Sequence, residues 1–406
     1  MTKEEYSSAV DNVIYLASCA LNGAAPETAK IRLMDLDDLY KAADRHLLTG
    51  IVAYALERAG VRDDRFAQAL AKAIRKELIL QADMEMLFER LETAGIWYMP
   101  LKGAVLSGLY PATGMRQMAD RDILFDDSRA EDVKEIMKGL GFSVENFGAG
   151  SHDVYYKEPV SNFEMHRQLF GSVHEPVVYK YYKCIKTRLI KDEGNRFGYH
   201  LSPEDTYIYM IAHEHKHYSG GGTGLRSLLD IYVYCRKLGA EMDWEYIAAE
   251  TAKLGMADFE QRNRRLAEHL LAPAGSEGLA HADSDRASLS SADSNLASLS
   301  NADGERTELS DADREMLRYI AGSGTYGNLY NSVQNKVSGL GGGATGKARY
   351  FLQRIFLPMD VVKSGFPFVY KHKILLPLLP VFRIGRGLLF RRARVLNEIK
   401  AIRKSH

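Results

Sequence analysis

Cysteine is scarce in this chain: Cys19, Cys184 and Cys235 are the only three among 406 residues. They lie far apart and show no paired spacing, which argues against a disulfide framework and a thiolate zinc site and fits a reducing compartment. Net charge is absent as well, since 53 Lys and Arg balance 53 Asp and Glu. No run approaches the roughly 18 apolar residues of a spanning helix. The start, MTKEEYSSAV, has no basic region followed by an apolar one, so the expectation is a cytoplasmic bacterial-type protein. What the chain does have is 46% hydrophobic residues. That is enough to bury a sizeable core in two or three domains and excludes a disordered protein.

Residues 3–59 carry helical periodicity, with Val10, Val13, Ile14 and Leu16 on one apolar side and Leu39, Ala42, Ala43 and Leu47 on another. Asp64 is placed to cap a longer helix over 65–94, which Gly95 ends. IWYMP at 96–100 then reads as a strand that delivers the chain to Lys102 and Gly103. After the acidic strand at 120–125, Asp127 or Ser128 can cap a helix over 129–140. Strands are expected at 142–147, 152–158 and 162–168, separated by Gly-rich and Pro-containing turns. Helices return from Pro203 to Leu271, opened by Ser202, Pro203, Glu204 and Asp205, with further starts near Leu225 and after Asp243.

Between Leu279 and Asp313 the sequence repeats every ten residues, ADSDRASLSS, ADSNLASLSN and ADGERTELSD. So polar a segment reads as a solvated insertion made by local duplication; known solenoids of this kind use longer units. The neutral total hides one imbalance: from Thr345 onward, fourteen Lys and Arg face only Asp360 and Glu398. This tail interleaves aromatic and basic residues with prolines at 367, 377 and 380 that break any long helix. Such a segment can meet an anionic membrane surface or nucleic acid, or it can be ordinary helix with its arginines in water.

Chemistry concentrates at LKGAVLSGLYPATGMRQMADRDILF, residues 101–125. Asp120 and Asp122 stand two apart before an apolar strand end, so both carboxylates point the same way. Glu164, in NFEMH, alternates with Phe163 and Met165 and shares a face with Asn162 and His166. If the two strands are neighbours, three carboxylates meet. That oxygen-rich arrangement suits magnesium ions that clamp the attacking and leaving oxygens of phosphoryl or nucleotidyl transfer. A turn at Lys102 and Gly103 opens a helix upstream, where backbone N–H groups can meet a phosphate chain.

Two louder motifs are weaker. His213-Glu214-His215-Lys216-His217 satisfies H-E-x-x-H and could hold zinc with Glu214 as base, but no third ligand lies in a typical place, although Asp230 is available. GGGATGK at 341–347 has Ala348 where a magnesium-binding hydroxyl belongs and no strand before it, so it reads as a flexible linker.

Lys102-Gly103, Leu109-Tyr110-Pro111, Arg116, Asp120-Arg121-Asp122-Ile123-Leu124 and Glu164-Met165-His166 together resemble an uncharacterised bacterial nucleotidyltransferase family of the DNA polymerase β-like superfamily. Leu201 to Asp205, His213 with Lys216-His217, Leu225-Arg226 with Asp230, and Gly324 to Gly327 extend the resemblance. It implies an α+β fold: a small mixed-sheet nucleotidyltransferase core over 96–200 with a helical region at 1–95 before it. The resemblance spans most of the chain except the repeat insertion, and the sequence itself reads after the core as a helical domain at 201–275, the insertion at 276–310, a helix and linker at 311–345, and the basic aromatic tail at 346–406. The resemblance also implies that Asp120, Asp122 and Glu164 are catalytic and bind Mg2+ (or Mn2+). Lys102, Gly103, Arg116, His213 and His217 would contact the nucleotide. The partners implied are a nucleoside triphosphate and an unidentified hydroxyl acceptor, with peripheral contact at the inner membrane face through 346–406 as a further reading. The rival reading is a catalytically inactive nucleotide-binding or scaffold protein that uses that tail for docking. Here Ala104 follows Gly103 where the superfamily has serine or glycine, and the spacing to the acids is long.

Overall fold

The computed structural model describes residues 1–172, 175–273, 309–390 and 392–404. Its first third is helical: α1 (Lys3–Leu21), α2 (Thr28–Ile31), α3 (Leu36–Arg45), α4 (Thr49–Arg58) and the long α5 (Asp64–Ala94). Thr2 and Glu5 close a capping box on α1, so two otherwise orphaned amides are satisfied where the helix begins. The α5 cap is Asp63 rather than Asp64, accepting from the amides of Arg65 at 2.9 Å and Phe66 at 3.4 Å. Of the two adjacent acids, Asp63 holds the extended backbone a cap needs. Gly95 ends α5 at φ 67°, a left-handed turn that costs glycine nothing.

The chain then enters β1 (Tyr98–Pro100), the short α6 (Gly103–Leu106), β2 (Arg121–Phe125) and α7 (Ala130–Gly139). A tight turn over Asp127–Arg129 precedes α7, and its cap is Asp126, not Asp127 or Ser128; an aspartate at a strand end reaches the amide two residues on. Next come β3 (Ser143–Asn146), β4 (His152–Lys157), β5 (Ser161–His166), α8 (Pro176–Tyr182) and a ribbon of β6 (Ile190–Lys191) and β7 (Tyr199–His200). The main sheet has the order β1-β2-β5-β4-β3. The β2–β5 pair is parallel and the others are antiparallel. This mixed five-stranded sheet with flanking helices is the α+β architecture expected.

Alternation along the central strands gives the sheet two different faces. Ile123, Phe125, Phe163 and Met165 pack against Leu80, Met84, Leu87 and Leu91 of α5 and Val133 and Met137 of α7, all fully or nearly fully buried. The opposite face carries Asp122, Glu164 and His166; α9 (Pro203–Gly220) and α10 (Arg226–Leu238) line the cavity with it, and α11 (Trp244–Lys253) and α12 (Ala257–Leu271) pack behind them in one helical layer. The fourth of these goes beyond the three starts legible in sequence; Met256 leads into it without a side-chain cap. Burying that layer against α1, α3 and α4 makes the larger core.

The decamer insertion lies outside the described residues except for its end, where Ser310 caps α13 (Asp311–Ser323). Then follow α14 (Leu329–Gly339), α15 (Gly343–Ile355), α16 (Met359–Gly365), α17 (Pro367–Lys371), α18 (Leu379–Phe390) and α19 (Arg392–Lys404). The run read as a flexible linker turns through Gly341 and Gly342 at positive φ and enters α15 at Gly343. A helix break falls at Pro367, which opens α17; Pro377 instead lies inside a short 3-10 turn over Lys373–Leu378 and Pro380 in the first turn of α18, where a missing amide is tolerated. Val333, Val337, Tyr350 and Ala401 form a small separate core for this tail.

Candidate active site

The site starts from strand register. Asp122 on β2 is the direct parallel partner of Glu164 on β5, so the two carboxylates leave the same face one strand spacing, about 4.8 Å, apart. Asp120 lies just before β2, one pleat upstream. At the end of β1 the Leu101 amide donates to the Asp122 carbonyl at 2.9 Å, which ties the turn at Lys102 to the acidic strand. Lys102 itself holds φ 31°, a region sterically unfavourable for a side-chain-bearing residue and found where the surroundings over-determine the backbone. Gly103 opens α6 in a close approach, where a Cβ would displace the terminal methyl of Met118 and press on Arg116. The amides of Ala104, Val105 and Leu106 already donate to Leu101 and Lys102 carbonyls.

Helix α9 lies across the opening. Its His213 and His217, one turn apart, place their Nε2 atoms 2.9 Å from each other, and the Lys102 ammonium contacts His213 Nε2. The loop from Thr113 to Met118 is pinned from behind. Tyr54 donates to the Thr113 carbonyl at 2.9 Å, the Gly114 amide to Glu77 at 2.7 Å, and Thr49 to Gln117 at 3.0 Å. The long spacing between turn and acids is therefore a structured loop. It ends on Arg116, whose Nε and Nη2 bind the two oxygens of Asp230 at 2.7 and 2.8 Å, while Tyr110 donates to the same carboxylate at 2.7 Å. Every site residue named in the sequence lines one cavity of about 380 Å³.

Two histidines join this face. His166 Nε2 lies 2.8 Å from Asp122 Oδ1 and 3.6 Å from Glu164 Oε2, and His152, paired with His166 across β4 and β5, lies 3.5 Å from Glu164 Oε2. Neither was given a catalytic or binding role from the sequence, although His166 was placed on the face of Glu164. The signal for His166 was its alternation with Glu164; His152 needed the β4–β5 pairing. Glu214 and Thr325 also face the cavity, each with a buried oxygen lacking a protein partner.

Electrostatics mark the acids as crowded. Burial and then repulsion from Asp122 and Glu164 push the Asp120 carboxyl up to about 6. Burial also acts to raise Asp122, but the Lys102 ammonium and the His166 hydrogen bond outweigh it and hold this carboxyl well below the usual range. The hydrogen bond from His166 lowers Glu164. Burial pulls Lys102 down against the pull of Asp122 and Asp120, and burial beside Lys102 keeps His213 well below its ordinary value and brings His217 to about 4. The three carboxylates line the same cavity, and among the described residues the donor atoms that converge within 4.8 Å, close enough to share one cation, are those of His152, Glu164 and His166. The H-E-x-x-H pair, by contrast, turns its imidazoles onto each other and Lys102, and Asp230 is spent on Arg116 and Tyr110.

No curated protein and no solved structure matches the chain. A family model described as an uncharacterised nucleotidyltransferase matches residues 33–272, a span that holds the whole acidic face, the turn at Lys102 and helix α9. The chain belongs to that nucleotidyltransferase family.

Proposed function

We propose that this protein transfers a nucleoside monophosphate from a nucleoside triphosphate to an acceptor hydroxyl, with Asp120, Asp122 and Glu164 holding Mg2+ or Mn2+. The observation that carries this reading is the in-register parallel pairing of Asp122 with Glu164, with Asp120 one pleat away. A bound divalent ion would neutralise phosphate charge and polarise the α-phosphoryl group. The protein's own part is positional. Lys102, its ammonium buried at the turn, meets the phosphate chain; because the amides after Gly103 are used within the turn, side chains rather than a backbone cradle supply the positive charge. His213 and His217, largely neutral, line the nucleotide side of the cavity. The acceptor oxygen attacks the α-phosphorus, the bond to the β-phosphate oxygen breaks, pyrophosphate leaves, and Glu164 takes the acceptor proton.

Double substitution Asp120→Asn with Asp122→Asn removes the charge without changing shape. Pyrophosphate release over a panel of acceptors should fall by at least 100-fold, a loss of about 2.7 kcal/mol or more in transition-state stabilisation, while circular dichroism stays that of the wild type. Transfer at the wild-type rate in that variant refutes the proposal. Nucleotide binding without turnover across the panel would favour the scaffold reading instead.

The tail supports a second, separate role at an anionic lipid surface. Among the described residues no helix is long and apolar enough to cross a membrane. Yet Phe351, Phe356, Phe368, Phe382, Ile374 at 87% and Leu389 at 79% stand exposed. Exposed Lys363, Lys371, Lys373 and Arg386 are interleaved with them. So much apolar surface is costly in water; laid in a headgroup layer it is buried while the cations meet lipid phosphates.

A further inference from the structure

The carboxylates of the site do not stand alone, and the atoms that accompany them are nitrogens. His166 Nε2 lies 2.8 Å from Asp122 Oδ1 and 3.6 Å from Glu164 Oε2, and His152 Nε2 lies 3.5 Å from that same Glu164 oxygen. The donor atoms of His152, Glu164 and His166 all fall within 4.8 Å of one another. Around an ion bound at about 2.1 Å, adjacent ligand atoms sit roughly 3.0 Å apart in an octahedron and roughly 3.4 Å apart in a tetrahedron. The separations here bracket those edges, so one ion can reach these atoms with only small side-chain rotations. Strand pairing holds them there: His152 is the direct partner of His166 across β4 and β5, and Glu164 of Asp122 across β5 and β2.

We infer that His152, His166 and Glu164, with Asp122 held against His166 beside them, form a mixed nitrogen and oxygen site that selects a first-row transition ion, of the manganese to zinc series, over magnesium. This rests on the transfer reading above and deepens it, since it names the ion class that part of the site takes. Magnesium demands near-ideal octahedral oxygen coordination and dehydrates reluctantly, whereas imidazole nitrogen suits the transition ions, with affinity lowest at manganese, highest at copper and lower again at zinc. The His166 geometry also leaves room for a ligand's proton. Its Nδ1 is buried with no protein partner, so that nitrogen can carry the ring proton when Nε2 is given to a cation.

The full chain, stripped with a chelator and dialysed, is titrated calorimetrically with Mn2+, Zn2+ and Mg2+ separately. Mn2+ should bind at least ten-fold more tightly than Mg2+, and Zn2+ more tightly still. Electron spin echo spectra of the Mn2+-loaded protein should show nitrogen modulation from imidazole. His152→Ala, at a half-buried position, should weaken Mn2+ by ten-fold or more, move Mg2+ by less than two-fold and reduce that modulation. His166→Asn provides the second variant, with the same expected direction, and thermal melts check that both remain folded. Equal affinities for Mn2+ and Mg2+, absent nitrogen modulation, or unchanged Mn2+ affinity in His152→Ala would each overturn the inference. The two readings fail separately. Magnesium-supported transfer without nitrogen coupling removes the imidazole ligands and leaves the transferase. Nitrogen-coupled Mn2+ in a protein whose transfer is indifferent to Asp120 and Asp122 does the reverse.

Discussion

Replacing Asp230 by Ala tests how the wall of the cavity is held. The Asp230 carboxylate on α10 receives three hydrogen bonds, from Arg116 Nε and Nη2 and from the Tyr110 hydroxyl, at 2.7 to 2.8 Å. Arg116 is only 7% exposed, and its remaining nitrogen, Nη1, is directed at the Met118 sulfur. Removing the carboxylate strands a buried guanidinium with no second acid in contact. Breaking a buried pair in this way costs about 3–5 kcal/mol, with the orphaned Tyr110 hydroxyl within that sum. Against a total stability on the order of 5–15 kcal/mol, the loss is large and should appear as a marked fall in the urea midpoint with an unchanged slope. The double variant Arg116→Met with Asp230→Leu removes both charges and should lie far closer to the wild type than Asp230→Ala does, because an apolar replacement of a buried pair is often nearly neutral. A cost below about 1 kcal/mol for Asp230→Ala, or a double variant as unstable as the sum of the single ones, would refute the claim that this pair is a buried, mutually dependent support.

Two further outcomes are expected. His46 is fully buried, accepting from the Leu225 amide at 3.2 Å on Nδ1 and meeting the Tyr6 hydroxyl at 3.0 Å, which in turn donates to the Ala321 carbonyl. Burial, with the Arg45 charge beside it, lowers its pKa from 6.5 to about 4. The neutral ring's stabilisation is therefore present above pH 6.5 and is lost as pH falls toward 4, a change of about 3 kcal/mol. The pH dependence of denaturant midpoints should lose this component in His46→Gln, and identical slopes in both proteins would count against it. For the tail, the wild type should co-sediment with phosphatidylglycerol vesicles, weakly with phosphatidylcholine, and less as salt rises. Ile374→Glu with Phe382→Glu should abolish retention; equal retention on both lipids would dismiss the electrostatic part of the reading.

Local patterns made much of the fold readable. Helix starts at Ser202 and the stop at Gly95 were visible because a cap or a left-handed glycine acts within one turn of chain. The errors were local too, and each came from choosing between neighbours that compete for the same amides, Asp63 against Asp64 and Asp126 against Asp127 or Ser128. Helix α12 lacked a start signal because the Met256 side chain offers no oxygen to cap it; it is held chiefly by packing against α10 and α1. The glycine run at 341–343 could be read as a turn but not as the entrance to α15, since positive φ at successive glycines permits a linker and a helix start equally.

The acids of the site were legible for the same reason the histidines were not. Asp120 and Asp122 declare a common face by a spacing of two, and Glu164 by alternation with Phe163 and Met165, all local facts. Which strand lies beside which is not local. Parallel pairing of β2 with β5 skips over α7, β3 and β4, and only that crossover sets Asp122 opposite Glu164. The antiparallel return of β4 then sets His152 beside His166. Arg116 shows the other limit. Its place in a loop leading to the acids pointed toward phosphate, whereas the structure has it joined to Asp230, more than a hundred positions along the chain. A guanidinium already bonded through two nitrogens to a buried carboxylate has little left to give a phosphate, so the positive charge facing the acids falls to Lys102 and to Arg226, which lines the same cavity. Lys102 sits in strained backbone at a turn whose Ala104, Val105 and Leu106 amides are already bonded within the chain, so it is a side-chain cation that the turn offers to a phosphate.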